Sequence, residues 1–143
     1  MKKNLKIFLI LILAVIGVIV LNPSAKHNVV RYVKNNNVEL TATAENIIEE
    51  NITVNAEYNS WRVDYYIQSD TPVVEFTVSR FGIVPSNHYK GFYYSPDDIP
   101  IGYQGAETEF LQNGSRWEYS CGGDNTGFTE KICDNWYWFE MKF

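Results

Sequence analysis

Histidine and cysteine are scarce in this chain, and their scarcity limits the chemistry that it can perform. Its 143 residues include two histidines, His27 and His88, and two cysteines, Cys121 and Cys133. Eleven residues separate the two cysteines, whereas zinc sites typically use pairs spaced by two to four residues. We therefore predict no metal site and no cofactor, and no motif indicates a catalytic site.

Basic residues are also few beyond the N-terminus. Residues 26–143 contain nine lysines and arginines against all seventeen of the aspartates and glutamates, which gives this part a formal net charge of −8. Proteins that bind nucleic acid hold it chiefly through lysines and arginines that meet phosphates. Nucleic acid is therefore not an expected partner.

One long apolar run lies near the N-terminus. Residues 7–21 contain no charged side chain and follow Lys2, Lys3 and Lys6. As a helix, these fifteen residues would span roughly 22 Å, which is shorter than a hydrocarbon core of about 30 Å. We predict an uncleaved membrane anchor through residues 7–21. A cleaved signal peptide is the first alternative and a buried core helix the second.

This run divides the chain into two parts. Residues 1–25 form the predicted signal-anchor or transmembrane segment, and residues 26–143 form one extracytoplasmic α+β domain. Lys26, Arg31 and Lys34 nearly balance the basic residues before the run, so charge alone only weakly sets the orientation. We predict a cytoplasmic N-terminus and a single-pass protein in the cell membrane with its domain outside, or a secreted protein if the segment is cleaved.

The first part of the domain has helical periodicity. Between residues 28 and 51, apolar residues recur at three- and four-residue steps on one stripe that packs on a sheet. Asn37 lies within that stripe, and the Asn35-Asn36-Asn37 run is a weak helix former. The pattern predicts one helix, and a break at Asn37 is the alternative.

From Ile52 the period changes to the alternation that is typical of strands. The predicted strands cover residues 52–58, 61–67, 74–79, 89–94, 116–121, 128–133 and 136–143. The predicted fold class is therefore α+β: an N-terminal membrane helix, then one helix packed on an antiparallel sheet of about five to seven strands, in a cystatin-like or similar arrangement.

The last strand is dense in aromatic residues. Tyr137 and Phe139 alternate with Trp136 and Trp138, so both faces of this strand are apolar. Either the helix covers one face and loops cover the other, or Trp136 and Trp138 form an exposed patch that binds a ligand. Aromatic packing between neighbouring strands accounts for most of the other aromatic residues.

The two cysteines flank a glycine-rich loop. A disulfide between Cys121 and Cys133 would close a hairpin in an exported domain and would stabilise it by about 3 kcal/mol. A second interpretation is that both cysteines are free buried thiols, and a third is that they include a reactive thiol or a metal ligand.

His88 is the only histidine in the strand-rich part of the chain. Asp97 and Asp98 follow one turn later, so a small hydrolase with a Ser86 or Cys121 nucleophile served by His88 is conceivable. A partly exposed loop histidine without catalytic function is the simpler interpretation.

Three segments, residues 81–85, 91–98 and 134–140, resemble short uncharacterised membrane-anchored or exported proteins of Gram-positive bacteria. No site residue follows from that resemblance. Together with the apolar run, it implies a membrane-tethered extracytoplasmic domain, most simply a non-catalytic binding or accessory module with a protein or cell-envelope partner. An inhibitor or immunity-type protein that blocks a single protein partner is one alternative, and the hydrolase with His88 is the other.

Overall fold

The computed structural model describes residues 26–51, 56–83, 86–106 and 108–143. Two helices come first, α1 (Lys26–Asn35) and α2 (Asn37–Glu49). They are separated at Asn36, whose backbone (φ −121°, ψ 19°) leaves the helical region and whose side chain donates to the carbonyl of Tyr32 at 2.8 Å. An asparagine side chain that bonds a backbone carbonyl of the preceding turn competes with the backbone hydrogen bonds of the helix, which explains the break.

Eight strands follow, all antiparallel to their neighbours in one sheet. Their bounds are β1 (Ala56–Tyr58), β2 (Trp61–Gln68), β3 (Thr71–Ile83), β4 (Ser86–Tyr94), β5 (Leu111–Asn113), β6 (Arg116–Ser120), β7 (Thr126–Cys133) and β8 (Trp136–Lys142), with one 3₁₀ turn at Tyr103–Gly105.

The strand order is β1-β2-β3-β4-β8-β7-β6-β5. Two four-stranded meanders therefore meet where β4 pairs with β8. The first two hairpins of the first meander each turn on two residues with positive φ, Asn59 and Ser60 (51° and 67°) and then Ser69 and Asp70 (48° and 70°). This backbone matches the twist of antiparallel strands and is tolerated best by Asn, Asp and Gly.

The two helices cover one face of the sheet, which we call the helix face. Val33, Leu40 and Ala44 have no exposed surface, and they pack with Trp136 and Trp138 in one core cluster. The stripe expected from the sequence thus does pack on the sheet.

The opposite face, which we call the loop face, is covered by the segment between β4 and β5. Ile101 and Tyr103 from this segment pack on Val73, Tyr93 and Tyr137 of the sheet. The backbone N–H of Ile101 donates to the Tyr93 hydroxyl at 2.8 Å, and the N–H of Tyr103 donates to the Tyr119 hydroxyl at 3.1 Å. Tyr93 and Tyr119 suit this face because the ring of each packs in the apolar core while its hydroxyl accepts a hydrogen bond from the backbone of the covering loop.

The predicted fold class is wrong in its helix and strand counts. Two helices replace the one predicted, because the alternative of a break beside Asn37 is what occurs. Eight strands replace five to seven, because β5 has three exposed residues and lacks the buried alternation by which strands are recognised in a sequence. The cystatin-like arrangement, with its single helix, is overturned by the same finding.

The membrane helix that the fold class included is not part of the described architecture. At about 1.5 Å per residue, α1 and α2 span only about 15 and 20 Å, and no helix among the described residues is long and apolar enough to cross a membrane. The predicted segment, residues 7–21, lies outside the described residues.

Candidate functional site

A trough of about 1150 Å³ lies on the part of the helix face that the helices leave uncovered. It crosses β4, β8, β7 and β6, and the segment before β5 closes one side. We call it the trough. Its lining combines polar and charged side chains with apolar ones. The polar and charged residues are His88, Lys90, Thr108, Glu109, Glu118, Ser120, Thr126, Glu140 and Lys142, and the others are Tyr89, Leu111, Tyr119, Gly127, Phe128 and Met141.

The strand register explains why these side chains converge. Side chains alternate between the two faces of a strand, so residues paired across neighbouring strands point the same way. Lys90, Glu140, Phe128 and Glu118 are successive Cα partners and form one cross-strand row. A second, parallel row consists of His88, Lys142, Thr126 and Ser120.

The two ends of the trough carry opposite charge. At one end Lys142 lies beside His88, and Lys142 has no ion pair among the described residues. At the other end Glu109 and Glu118 present carboxylates, of which Glu118 accepts a hydrogen bond from Asn113 at 3.0 Å. Lys142 on β8 and Glu118 on β6 are two strand intervals apart and two residues apart along the strands, so the two ends are separated by roughly 12 Å.

The centre of the trough contains an ion pair and an aromatic ring. Lys90 and Glu140 form an ion pair at 3.0 Å, and beside them lies the ring of Phe128. Arg116 stacks over that ring, with its guanidinium carbon 4.3 Å from the ring centroid, and Lys26 approaches it at 5.6 Å. The trough therefore has a partly apolar floor between a basic end and an acidic end.

One ion-pair cluster fixes the start of α1 beside the trough. Glu130 accepts hydrogen bonds from Lys26 at 2.6 Å and from Arg116 at 3.3 Å. Partial burial raises the pKa of Glu130, but these two cations outweigh it and leave the pKa below its ordinary value. The carboxylate stays ionised at neutral pH and holds both cations over Phe128.

His88 lies in the trough but is not joined to the catalytic partners considered from the sequence. Its ring stacks on Phe81 at 4.8 Å. Asp97 and Asp98 follow the opposite end of β4, more than six residues of extended chain from His88. Ser86 donates instead to the carbonyl of Phe143 at 3.2 Å.

The other sequence-predicted residues lie elsewhere. Cys121 follows β6, and its side chain packs on the loop face, opposite to the trough. Trp136 and Trp138 have no exposed surface beneath the two helices. The arrangement in which the helices cover one face and loops cover the other is thus the one formed, and it leaves both indoles out of reach of a ligand in solvent.

The predicted disulfide is wrong, because Cys121 and Cys133 are both free thiols. The N–H of Cys121 bonds Asn125 just before β7 begins, whereas Cys133 ends β7. The length of β7 therefore separates them by roughly 23 Å, far beyond the reach of a disulfide. They also pack against different core clusters, Cys133 on the helix face and Cys121 on the loop face.

Asp97 and Asp98 have structural partners. Asp97 accepts from Thr71 at 2.7 Å, and Asp98 accepts from the backbone N–H of Asn135 at 2.9 Å and from Lys131. Across the described ranges, no group of three or more His, Cys, Asp and Glu side chains could hold a metal ion.

Sequence reasoning missed the trough as a site. Its residues come from five strands and a loop, separated by up to 54 positions, and most of them appear in the sequence as ordinary residues of half-buried strands. Only the pairing of β4 with β8 brings the two halves together. Comparisons with protein-family models, with curated proteins and with solved structures found no match to this chain.

Proposed function

We propose that this protein is a non-catalytic binding domain that works outside the cytoplasm and holds an extended peptide segment in the trough. The observation that supports the proposal is the trough itself, an open concavity of about 1150 Å³ with a basic end, a partly apolar floor and an acidic end. Pockets of this size are the usual locations of ligand sites in proteins.

The charge pattern favours a peptide as the ligand. A ligand that satisfies both ends carries an anionic and a cationic group roughly 12 Å apart, which is the span of about four residues of extended chain. An apolar side chain between them would pack beside the Phe128 ring and the Arg116 guanidinium stacked on it. Peptides can carry all three features. Exposed segments of other proteins outside the cytoplasm would be a source of such a ligand.

The contacts of His88 and Ser86 among the described residues favour binding over hydrolysis. His88 contacts the ring of Phe81, while the Ser86 hydroxyl donates to the carbonyl of Phe143. A ring N–H of His88 is one further hydrogen-bond donor beside Lys142 for an acidic ligand group.

The location outside the cytoplasm rests on the sequence. The basic residues Lys2, Lys3 and Lys6 before the apolar residues 7–21 are the pattern of an export segment. Fractionation of the native host tests this part separately: recovery of the protein in the soluble cytosolic fraction would contradict it, whatever the trough binds.

The binding test uses the full-length chain and a pool of synthetic five-residue peptides with one acidic and one basic end residue and an apolar centre. Calorimetry or NMR titration should detect binding, and Lys142→Glu should weaken it about fivefold or more by replacing attraction with repulsion. Peptides with both ends acidic or both ends basic should bind more weakly to the unaltered protein.

The matched control is Lys34→Glu, the same charge change on α1 away from the trough rows. It should leave peptide affinity unchanged. Equal loss in both variants would indicate a general charge effect, and the absence of binding by any peptide would remove the proposal. Charge-insensitive binding of a neutral oligosaccharide probe would replace the peptide with a glycan.

A further inference from the structure

Two carboxyl side chains face each other on the loop face of the sheet, away from the trough. Asp64 on β2 and Glu75 on β3 are Cα partners. Directly opposed residues of an antiparallel pair hold their Cβ atoms about 4.5–5.5 Å apart, so their carboxyl groups lie within reach of one another. Glu75 is only 1% exposed, which is unusual for an acidic residue.

The hydrogen bonds of the pair satisfy one oxygen of each carboxyl group. Arg62 donates to Asp64 Oδ1 through Nε at 3.0 Å and Nη2 at 2.8 Å. Tyr66 donates its hydroxyl to Glu75 Oε2 at 3.1 Å, and the backbone N–H of Gln104 donates to the same atom at 3.4 Å.

The other two oxygens, Asp64 Oδ2 and Glu75 Oε1, are buried and have no hydrogen-bond partner among the described residues. A buried carboxylate oxygen without a partner is costly, and two such atoms on opposed residues would add mutual repulsion. One donor placed between them would satisfy both.

We propose that Asp64 and Glu75 form a proton-binding site, in which a single proton on Glu75 Oε1 is donated to Asp64 Oδ2. The proton is taken up from water and returned to water, so the O–H bond of Glu75 is the only covalent bond that forms or breaks. The protonated pair carries one negative charge, which the Arg62 guanidinium neutralises from the Asp64 side.

The surroundings identify which residue carries the proton. The Arg62 guanidinium donates twice to Asp64 Oδ1, whereas the hydrogen bonds that reach Glu75 from the described residues come from the Tyr66 hydroxyl and the Gln104 backbone, neither of which is a cation. Burial raises the pKa of Glu75 to about 7; the hydrogen bonds from Tyr66 and Gln104 oppose this rise, and the charge of Asp64 adds to it.

Among the described residues, one arginine and four tyrosines face the pair. Arg62 and Tyr66 come from β2, Tyr93 from β4, Tyr103 from the 3₁₀ turn and Tyr119 from β6. Burial raises the pKa of each of these four tyrosines, so all stay neutral and none competes for the proton near pH 7. Arg62 is thus the only cation facing the pair among the described residues.

A metal ion is a poorer occupant than a proton. Calcium takes six to eight oxygen ligands, and magnesium takes six in a near-octahedral arrangement. The pair offers two unpartnered carboxylate oxygens, and its remaining neighbours are tyrosine hydroxyls and an arginine. The ligand number and the adjacent guanidinium both favour a proton.

The site links the sheet to the loop that covers it. Gln104 belongs to the Tyr103–Gly105 turn and holds a left-handed backbone (φ 49°, ψ 37°) while it donates to Glu75. Loss of the proton places two negative charges side by side beneath this turn. We therefore expect the covering loop to be held most firmly when the pair is protonated.

The direct test is a carboxyl ¹³C NMR titration of the full-length chain labelled at glutamate. One glutamate should titrate with a midpoint near 7, and Glu75→Gln should remove that resonance and no other. If every glutamate titrates below about pH 5.5, near ordinary values, the proposal is overturned. If calcium chloride lowers the midpoint in proportion to its concentration, a metal site replaces the proton site.

Urea unfolding gives a second, independent readout. The pKa of Glu75 is about 7 in the folded chain and has its ordinary value of 4.5 in the unfolded chain. Between about pH 4.5 and 7 the native state therefore holds one more proton than the unfolded state. Across that window this residue should raise the unfolding equilibrium constant by up to tenfold per pH unit as pH rises.

Glu75→Gln should remove this contribution, because the amide can donate to Asp64 Oδ2 and accept from Tyr66 without titrating. The matched control is Glu45→Gln on α2, where Tyr94 donates to the exposed carboxylate at 3.3 Å, and it should keep the wild-type pH slope. An unchanged slope in Glu75→Gln would contradict the proposal; if that variant fails to fold, the wild-type NMR titration decides.

Discussion

The indole N–H of Trp136 donates to Thr41 Oγ1 at 3.1 Å, and this bond joins α2 to the last strand of the sheet. Trp136 has no exposed surface, and its ring lies 5.7 Å from that of Phe92 and 5.9 Å from that of Phe76. The bond therefore positions α2 over the centre of the sheet, where β4 and β8 meet.

Removing the acceptor should destabilise the fold measurably. Thr41→Val keeps the side-chain shape but leaves the Trp136 N–H buried without a partner, which should cost about 1–2 kcal/mol in the free energy of unfolding. Urea denaturation monitored by tryptophan fluorescence measures the loss. Thr43→Val, whose hydroxyl bonds only the carbonyl of Glu39 one turn back, should change stability by less than about 0.5 kcal/mol.

How far the sequence predicts the fold differs from one element to the next. The alternation over residues 61–67 and 136–143 correctly predicts β2 and β8, because apolar residues at every second position mark a strand without information from the rest of the chain. The helical stripe also packs on the sheet as predicted. From the sequence alone the break within it is only an alternative, because it depends on the hydrogen bond from the Asn36 side chain to the carbonyl of Tyr32. β5 was missed because its three residues are exposed on both sides.

The sites were harder to predict because they depend on long-range pairing. Glu75 alternates with Val74 and Phe76 and therefore looks like a solvent-facing residue of a half-buried strand. It is buried because a loop some 30 residues later covers that face, and no local pattern contains this information. The same reason explains the tryptophans, whose face could be assigned to helices or to solvent only once the covering elements were placed.

The close approach of β3, β4 and β8 at Gly91 gives a steric prediction. A Cβ atom on residue 91 would lie 2.1 Å from the carbonyl oxygen of Phe76 and 2.7 Å from the ring of Phe139. Gly91→Ala should therefore cost about 3 kcal/mol or more, since backbone on one side and a buried ring on the other must move.

Gly114→Ala is the comparison for that variant. No atom lies within 4 Å of a Cβ placed there, and the only obstacle is a positive φ of 63°. The cost should be about 1–2 kcal/mol. Thermal unfolding of both variants measures the difference, and equal losses would contradict the steric explanation for Gly91.

The free thiols give a chemical prediction. If the protein is purified and unfolded without any reductant, Cys121 and Cys133 should both react with a thiol reagent. Their separation in the folded chain prevents a disulfide between them. In the folded protein the reaction should be slow, since burial raises the pKa of each thiol and lowers its thiolate fraction. Intact-mass spectrometry after alkylation measures both. An unmodified, oxidised pair within one chain would contradict the structure.

The turn at Asp98 gives a prediction for acid pH. Partial burial raises the pKa of Asp98, but Lys131, the N–H of Asn135 and the Tyr137 hydroxyl outweigh it and hold the pKa below the ordinary 3.8. A lowered pKa means that the stabilisation is present above pH 3.8 and is lost as pH falls through the folded-state value.

Asp98→Asn should therefore destabilise the protein near neutral pH by on the order of 1 kcal/mol, a modest figure because the carboxylate is partly exposed. The difference from wild type should shrink as pH falls below 3.8, where the wild-type carboxylate becomes protonated as well. Urea midpoints measured across this range test the prediction. Asp124→Asn, in the exposed turn before β7, should follow the wild-type curve throughout, and a difference for Asp98→Asn that stays constant with pH would show that the contribution is steric and not electrostatic.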